Sequence, residues 1–375
     1  MRPAVLAGLI LLVLFIGLLA VRPKLYAATN TITVNSLLDA SASGDGLCTL
    51  RKAIANANSR SDTSKGDCVA GTGTDTIAFS VSGTITIETV LPSIQNTLAI
   101  DGTGQTITID DGTGTLRLFN NNLAGSLTLN NLTLQNGNTG LNGGAVFNGH
   151  TLVVTNSTFV GNVAASGGAI YNGPAGTMSV TNCTFSGNGG QGGGGAIRSD
   201  HGGTIVNSTF SGNAVGGGNS GAAILATGTA LTVENAILAN STGPNCGATS
   251  GGSFTNGGGN ISDDSSCGFG SSVAANGETI GDNVMPLLDP AGLQNNGGPT
   301  DTIALDANSP AINAILIANC PPTDQRGDPR PDPGDGSGAC DSGAFESMNT
   351  LATPTPTSTA TSSTSPTATA TAASP

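Results

Sequence analysis

Leu152-Val153-Val154-Thr155-Asn156-Ser157-Thr158-Phe159, Met178-Ser179-Val180-Thr181-Asn182-Cys183-Thr184-Phe185 and Gly203-Thr204-Ile205-Val206-Asn207-Ser208-Thr209-Phe210 are three copies of one phrase. Looser copies flank them at Asn131 and Asn235, so five asparagines recur 25, 26, 25 and 28 residues apart. Two positions before each Asn stands an apolar residue: Leu129, Val154, Val180, Ile205 and Val233. Four positions before stand Leu127, Leu152, Met178, Gly203 and Leu231, with Gly203 the exception. Three positions after stand Leu134, Phe159, Phe185, Phe210 and Leu238. The alternation before Asn is a strand with one face buried. After Asn the apolar residue returns at three rather than two or four, so the chain bends there and a second strand begins. Asn tolerates the left-handed backbone of a sharp bend, and its amide can bond the Asn of the next unit. Stacked units predict an internal ladder of Asn131, Asn156, Asn182, Asn207 and Asn235 beside a column of Phe159, Phe185 and Phe210.

Each unit carries a second mark: Gly143-Gly144-Ala145-Val146, Gly167-Gly168-Ala169-Ile170, Gly194-Gly195-Ala196-Ile197 and Gly221-Ala222-Ala223-Ile224. Paired glycines make a tight turn, and the apolar residues open a third short strand. Three strands per unit of about 26 residues describe one coil of a right-handed parallel β-helix, an all-β fold. At roughly 4.8 Å per rung, eight or nine coils predict a rod about 40 Å long. A leucine-rich repeat would need a Leu-x-x-Leu-x-Leu core and more helix. Upstream, Thr76–Phe79, Thr84–Ile87, Thr97–Ile100 and Thr106–Ile109 read as earlier, less regular coils. A β-helix exposes a strand edge at each end and must be capped. Leu50, Ala53, Ile54 and Ala57 sit at helical spacing behind Thr49, which predicts a capped amphipathic helix over the first coil. At the other end Asp263–Glu346 holds 13 acids and two bases, Arg326 and Arg330, and is the expected C-terminal cap.

Composition agrees: 57 of 375 residues are Gly, none is Trp, and only 9% are charged. The glycines have no three-residue period, which excludes collagen, and helix formers are too few for a conventional helical or α/β enzyme. A net charge of −13 argues against nucleic acid as a partner. Ala4–Val21 is an uninterrupted apolar run behind Arg2, followed by the small-residue stretch Leu25-Tyr26-Ala27-Ala28. It reads as a cleaved secretory leader. An uncleaved membrane anchor is the other reading, kept open by Arg22 and Lys24. Met348–Pro375 has no charge and is mostly Thr, Ser, Ala and Pro, the composition of a disordered stalk. Export suits the cysteines, which predict disulfides Cys48–Cys68, Cys246–Cys267 and Cys320–Cys340 by adjacency and leave Cys183 as a buried, inert thiol. The chain thus divides into a leader (1–27), a cap with first coils (28–120), regular coils (121–262), a C-terminal cap (263–347) and a stalk (348–375).

Three resemblances meet here. Cys48-Thr49-Leu50-Arg51-Lys52-Ala53 resembles the CSLREA motif of secreted bacterial β-helix proteins, with Thr for Ser and Lys for Glu. The Gly-Gly-Ala-Ile boxes and the Phe-x-x-Asn boxes (Phe159 to Asn162, Phe185 to Asn188, Phe210 to Asn213) resemble the repeats of chlamydial polymorphic outer-membrane adhesins. Leu293–Thr300, Asp324-Gln325-Arg326-Gly327 and Cys340-Asp341-Ser342-Gly343-Ala344 resemble the choice-of-anchor Q domain. These resemblances imply a pectin-lyase-like solenoid at the cell surface, without implying a reaction.

The regular coils carry few ionisable groups: His150, Arg198, Asp200, His201 and Glu234. Arg198, Asp200 and His201 are the catalytic candidates, set against a solvated Gly-rich loop. Glycosidases need two carboxyls about 5 to 9.5 Å apart, and Asp200 and Glu234 are not one coil apart. Asp328, Asp332, Asp335 and Asp341 are candidate Ca²⁺ ligands, set against a solvated acidic turn paired with Arg326 or Arg330. No other cofactor is expected. The expected function is adhesion or binding of extracellular glycans by a non-catalytic surface protein; the alternative is a polysaccharide lyase or glycosidase on the same scaffold.

Overall fold

The computed structural model describes residues 30–348 except residue 123 and residues 217–220. The expected leader, and the stalk from residue 349 onward, lie outside the described residues. Inside them the chain winds into a parallel β-solenoid of about seven turns.

The first face is a nine-stranded parallel sheet running from Asn30–Val34 to Ser253–Asn256. Its register stacks like on like, with Ile100, Leu129, Val154, Val180, Ile205 and Val233 in one column. All six are fully buried. The second face runs from Gly83–Ile87 through Thr158–Val160, Thr184–Ser186 and Thr209–Ser211 to Ile261–Ser262. There Phe159, Phe185 and Phe210 form a column, with ring centroids 4.8 and 4.6 Å apart and planes within 7°. The third face holds six strands, from Phe119–Asn121 to Cys246–Thr249, of which the middle four are opened by the Gly boxes. A fourth, four-stranded sheet (Asn138–Asn142, Val163–Ser166, Gly189–Gly190 and Ala214–Val215) was not foreseen, because its strands have almost no apolar pattern.

Coil-to-coil contact explains the glycines. A Cβ on Gly168 would lie 2.2 Å from the carbonyl oxygen of Gly195 in the next coil. Gly203 breaks the apolar pattern because its φ is +125° and a Cβ there would sit 2.7 Å from the Met178 carbonyl oxygen.

The expected asparagine ladder needs correction. Asn131, Asn156, Asn182, Asn207 and Asn235 all have φ between 48° and 54°, so they do form the left-handed bends. As a ladder they are broken. Asn182 bonds Asn156, and Asn235 bonds Asn207, each at 3.3 Å, while Asn156 donates to Asn130 and Asn131 to Thr103. Asn131 and Asn156 are half-exposed.

Two other rows are the internal ladders. Asn162, Asn188 and Asn213, the ends of the Phe-x-x-Asn boxes, are fully buried and linked amide to amide at 3.0 Å. Each also caps a main-chain carbonyl, of Leu134, Phe159 and Phe185 respectively. On the third face Asn121, Asn148 and Asn172 are linked at 2.7 Å per step, and Asn172 donates to Ser199. Buried amides must find partners, and a neighbour one rung away supplies donor and acceptor together.

Helix α1 (Leu50–Ser59) packs on the first strands, its N-terminus capped by the Thr49 side chain. Leu50, Ala53, Ile54 and Ala57 face the core, and the Cys48–Cys68 disulfide closes the loop behind them. At the far end an antiparallel hairpin (Ser271–Val273 with Thr279–Gly281) closes the second face. Cys246–Cys267 lies nearby in sequence.

The C-terminal segment does more than cap. From about residue 298 it doubles back along the side of the solenoid as a strap. Gly343 N donates to Asn235 O, Ala344 N to Thr209 Oγ1, and Thr300 Oγ1 to Asn156 O. Gln325 is buried at the centre: Thr184 Oγ1 donates to its carbonyl at 2.7 Å, and its amide donates to Thr158 Oγ1 at 2.8 Å. Cys320–Cys340 joins two stretches of the strap. Cys183, the free cysteine, is wholly buried, and burial pushes its thiol up to about 12.

Candidate functional site

Arg198 projects outward from the third face, and Asp200 and His201 occupy the turn that follows. Asp200 is held by three donors: it accepts from Arg198 Nε at 2.8 Å, from the Tyr171 hydroxyl and from Thr227 Oγ1. Burial works against its ionisation, but the bonds from Arg198, Thr227 and Tyr171 win and hold the carboxyl below its usual range. Burial and the Asp200 charge push the Tyr171 hydroxyl up to about 12. His201 sits apart, with Nδ1 3.2 Å from the Gly176 carbonyl. Glu234 ends a first-face strand and does not share a face with Asp200. The three catalytic candidates therefore form an ion pair beside a separate imidazole, with Asp200 held as a carboxylate by Arg198, Tyr171 and Thr227.

The four candidate Ca²⁺ ligands are dispersed in role. Asp328 pairs with Arg326 at 3.0 Å. Asp332 and Asp335 accept from the backbone of Gly334 and Ser337, in local turns. Asp341 accepts from the amides of Asn313 and Ser347. Among the described residues no three His, Cys, Asp or Glu side chains are grouped to hold a metal ion. What the acidic segment builds instead is a buried ionic knot. Arg330 and Glu346 have fully buried side chains 3.5 Å apart, and Arg330 also donates to the carbonyls of Asp341 and Gly343. Arg326 pairs with buried Asp324 at 2.8 Å and lies 3.8 Å over the Phe345 ring.

Glu346 carries a pH dependence. Burial, with the Asp341 charge added, outweighs Arg330 and pushes its carboxyl up to about 8. The unfolded value is near ~4.3. The folded state thus binds the proton more tightly, and this contribution to stability is complete below the unfolded value and lost as pH rises through about 8. The urea midpoint should fall between pH 5 and 9, and Glu346→Gln should flatten that fall while lowering stability at pH 5, where one backbone N–H loses its acceptor. An unchanged slope in the variant would assign the pH dependence to another group.

A second arrangement escaped the sequence reading. The outward position of each third-face strand holds Phe147, Tyr171, Arg198 and Leu225 in register. Phe147 and Tyr171 stack with centroids 5.3 Å apart, and Arg117 and Arg198 lie 5.2 and 5.6 Å from Phe147 and Tyr171. The result is a column of guanidinium, two rings and guanidinium on the outside of an acidic protein. The signal was present as the residue after each Val or Ile of the Gly boxes, but unlike residues at that place look like noise until the strands pair. Beside Arg117 and Phe147 opens a groove of about 410 Å³, walled also by Asn120, Asn122, Leu141 and Asn142.

No family model, no curated protein and no solved structure matches this chain. Its reading therefore rests on its own residues. Three disulfides fit an oxidising compartment, and no helix among the described residues is long and apolar enough to cross a membrane.

Proposed function

We propose that this chain is a secreted or cell-surface β-solenoid that binds extracellular glycans without cleaving them. The observation that carries the reading is the state of the charged cluster on the regular coils. Asp200 accepts from three donors that hold its carboxyl below the usual range, whereas a general acid on a glycosidic bond needs a carboxyl whose proton is held at neutral pH. The rod's outer surface instead offers amides, hydroxyls and the half-buried Phe147 ring, groups suited to sugar hydroxyls and C–H faces. The CSLREA-like, adhesin-like and choice-of-anchor-Q-like segments support a surface location and carry no reaction.

Binding and cleavage are separable in one experiment. The full chain should bind at least one class on a panel of neutral and acidic polysaccharides, with no new reducing ends and no unsaturated products. Product from any polysaccharide would establish the carbohydrate-active enzyme instead. A chain that binds none of the panel would remove the glycan reading.

A further inference from the structure

Among the described residues the buried and half-buried cations have their counter-charges, with one exception. Arg51 pairs with Asp39, Lys52 with Asp45 and Asp67, Arg198 with Asp200, Arg326 with Asp324 and Asp328, and Arg330 with Glu346. Arg117 is half-buried, and no carboxylate faces it among the described residues. Its Nε donates to the Gly143 carbonyl at 3.0 Å and its Nη2 to the Asn142 carbonyl at 2.7 Å. Those two bonds fix the guanidinium plane and leave Nη1 without a hydrogen-bond partner among the described residues. A guanidinium partly withdrawn from water and lacking a counter-ion is held at a cost that an arriving anion would offset.

The surroundings say what kind of anion. Leu141 is 67% exposed at the groove's rim and faces no core, so with the Phe147 ring it forms an apolar wall. Asn120, Asn122 and Asn142 add polar residues to the lining, with the Asn120 amide held by Ser93. An apolar wall, several donor–acceptor amides and one fixed cation are the complement of a ring with C–H faces, hydroxyls and a single carboxylate. The volume, about 410 Å³, lies in the roughly 300–1,000 Å³ range of small-molecule sites.

We propose that this groove binds a carboxylate-bearing saccharide, with Arg117 taking the carboxylate, Asn120, Asn122 and Asn142 the hydroxyls, and Leu141 with Phe147 the apolar face of the ring. The proposal rests on the glycan-binding reading and narrows it to one site and one class of sugar.

The test measures binding of the full chain to three probes: acidic tetrasaccharides (galacturonate, alginate and hyaluronan tetramers), cellotetraose, and polyglutamate. At least one acidic tetrasaccharide should bind saturably, more weakly as salt rises. Cellotetraose and polyglutamate should bind at least about tenfold more weakly. Arg117→Gln should reduce the acidic-sugar affinity at least about tenfold, the loss expected for one hydrogen-bonded charge. Because Arg117 also holds two loop carbonyls, Leu141→Asp is the second variant. It alters an exposed side chain, adds a like charge at the rim, and should weaken binding by a similar factor with the melting temperature unchanged. Acidic-sugar binding untouched by both variants would overturn the groove while leaving the glycan reading standing. Preference for cellotetraose would do the same. Equal binding of polyglutamate would reduce the groove to a general anion site and overturn the proposal. Failure of every saccharide here and on the polysaccharide panel would overturn both.

Discussion

Arg330→Met should release the C-terminal strap and leave the coils wound. The substitution keeps the volume and removes the charge, so Glu346 and Asp341 stay buried without their cation, and the carbonyls of Asp341 and Gly343 lose a donor. Leaving those two buried carbonyls without their donor costs about 1–3 kcal/mol each, or roughly 2–6 kcal/mol together. The strap meets the coils through hydrogen bonds, from Gln325 to Thr158 and Thr184 and from Gly343 and Ala344 to Asn235 and Thr209, and through one small apolar cluster in which Ala311, Ala314 and Ile315 pack with Ile237 and Ile261. The coils have their own continuous apolar core of stacked Ile, Leu, Val and Phe. Hydrogen exchange should therefore rise across residues 298–346, while the first-face strands from Ser126–Asn130 to Ala230–Glu234 stay protected. Equal deprotection of both would show that the strap and the solenoid unfold as one unit.

Asn188→Ala should be the most damaging change to an asparagine of the repeat. The Asn188 side chain accepts from the backbone N and the side-chain amide of Asn162, and donates to Phe159 O and Asn213 Oδ1, all at 3.0 Å. Truncation leaves at least the Asn162 N–H and the Phe159 carbonyl buried without those partners. At about 1–3 kcal/mol each, the loss comes to roughly 2–6 kcal/mol. Asn156→Gly makes the contrast. Asn156 is half-exposed at φ +50°, a conformation glycine adopts freely, so stability should change by less than about 1 kcal/mol. Chemical denaturation of the two variants side by side decides it. Comparable losses would return the main load to the row of bend asparagines.

Those two asparagines show where the sequence reading stopped. Asn182 and Asn188 recur with nearly the same period, so repetition alone could not say which row lies inside. The left-handed bend at Asn182 turns its side chain toward the edge of the rod, where it meets the Thr323 carbonyl of the strap, while six residues later Asn188 points into the interior. The charged residues taught the same lesson. Arg198 and Asp200 were visible as neighbours in sequence, but the closing of Asp200 by Tyr171 and Thr227 came from the coils on either side. Arg117 carried no signal at all, since its isolation is defined by what the fold fails to bring near it.

Alternation of apolar residues and a constant repeat length settled the winding, the inward columns and the capping helix, because each depends on contacts within one coil or with its identical neighbour. Parity alone would send Thr158, Thr184 and Thr209 to solvent, yet all three are buried beneath the strap. Such burial depends on a segment more than a hundred residues away whose path has no period, and hydrogen bonds between unlike partners leave no rhythm to read. Only the folded chain could place the strap, choose the buried amide rows and open the groove beside Arg117.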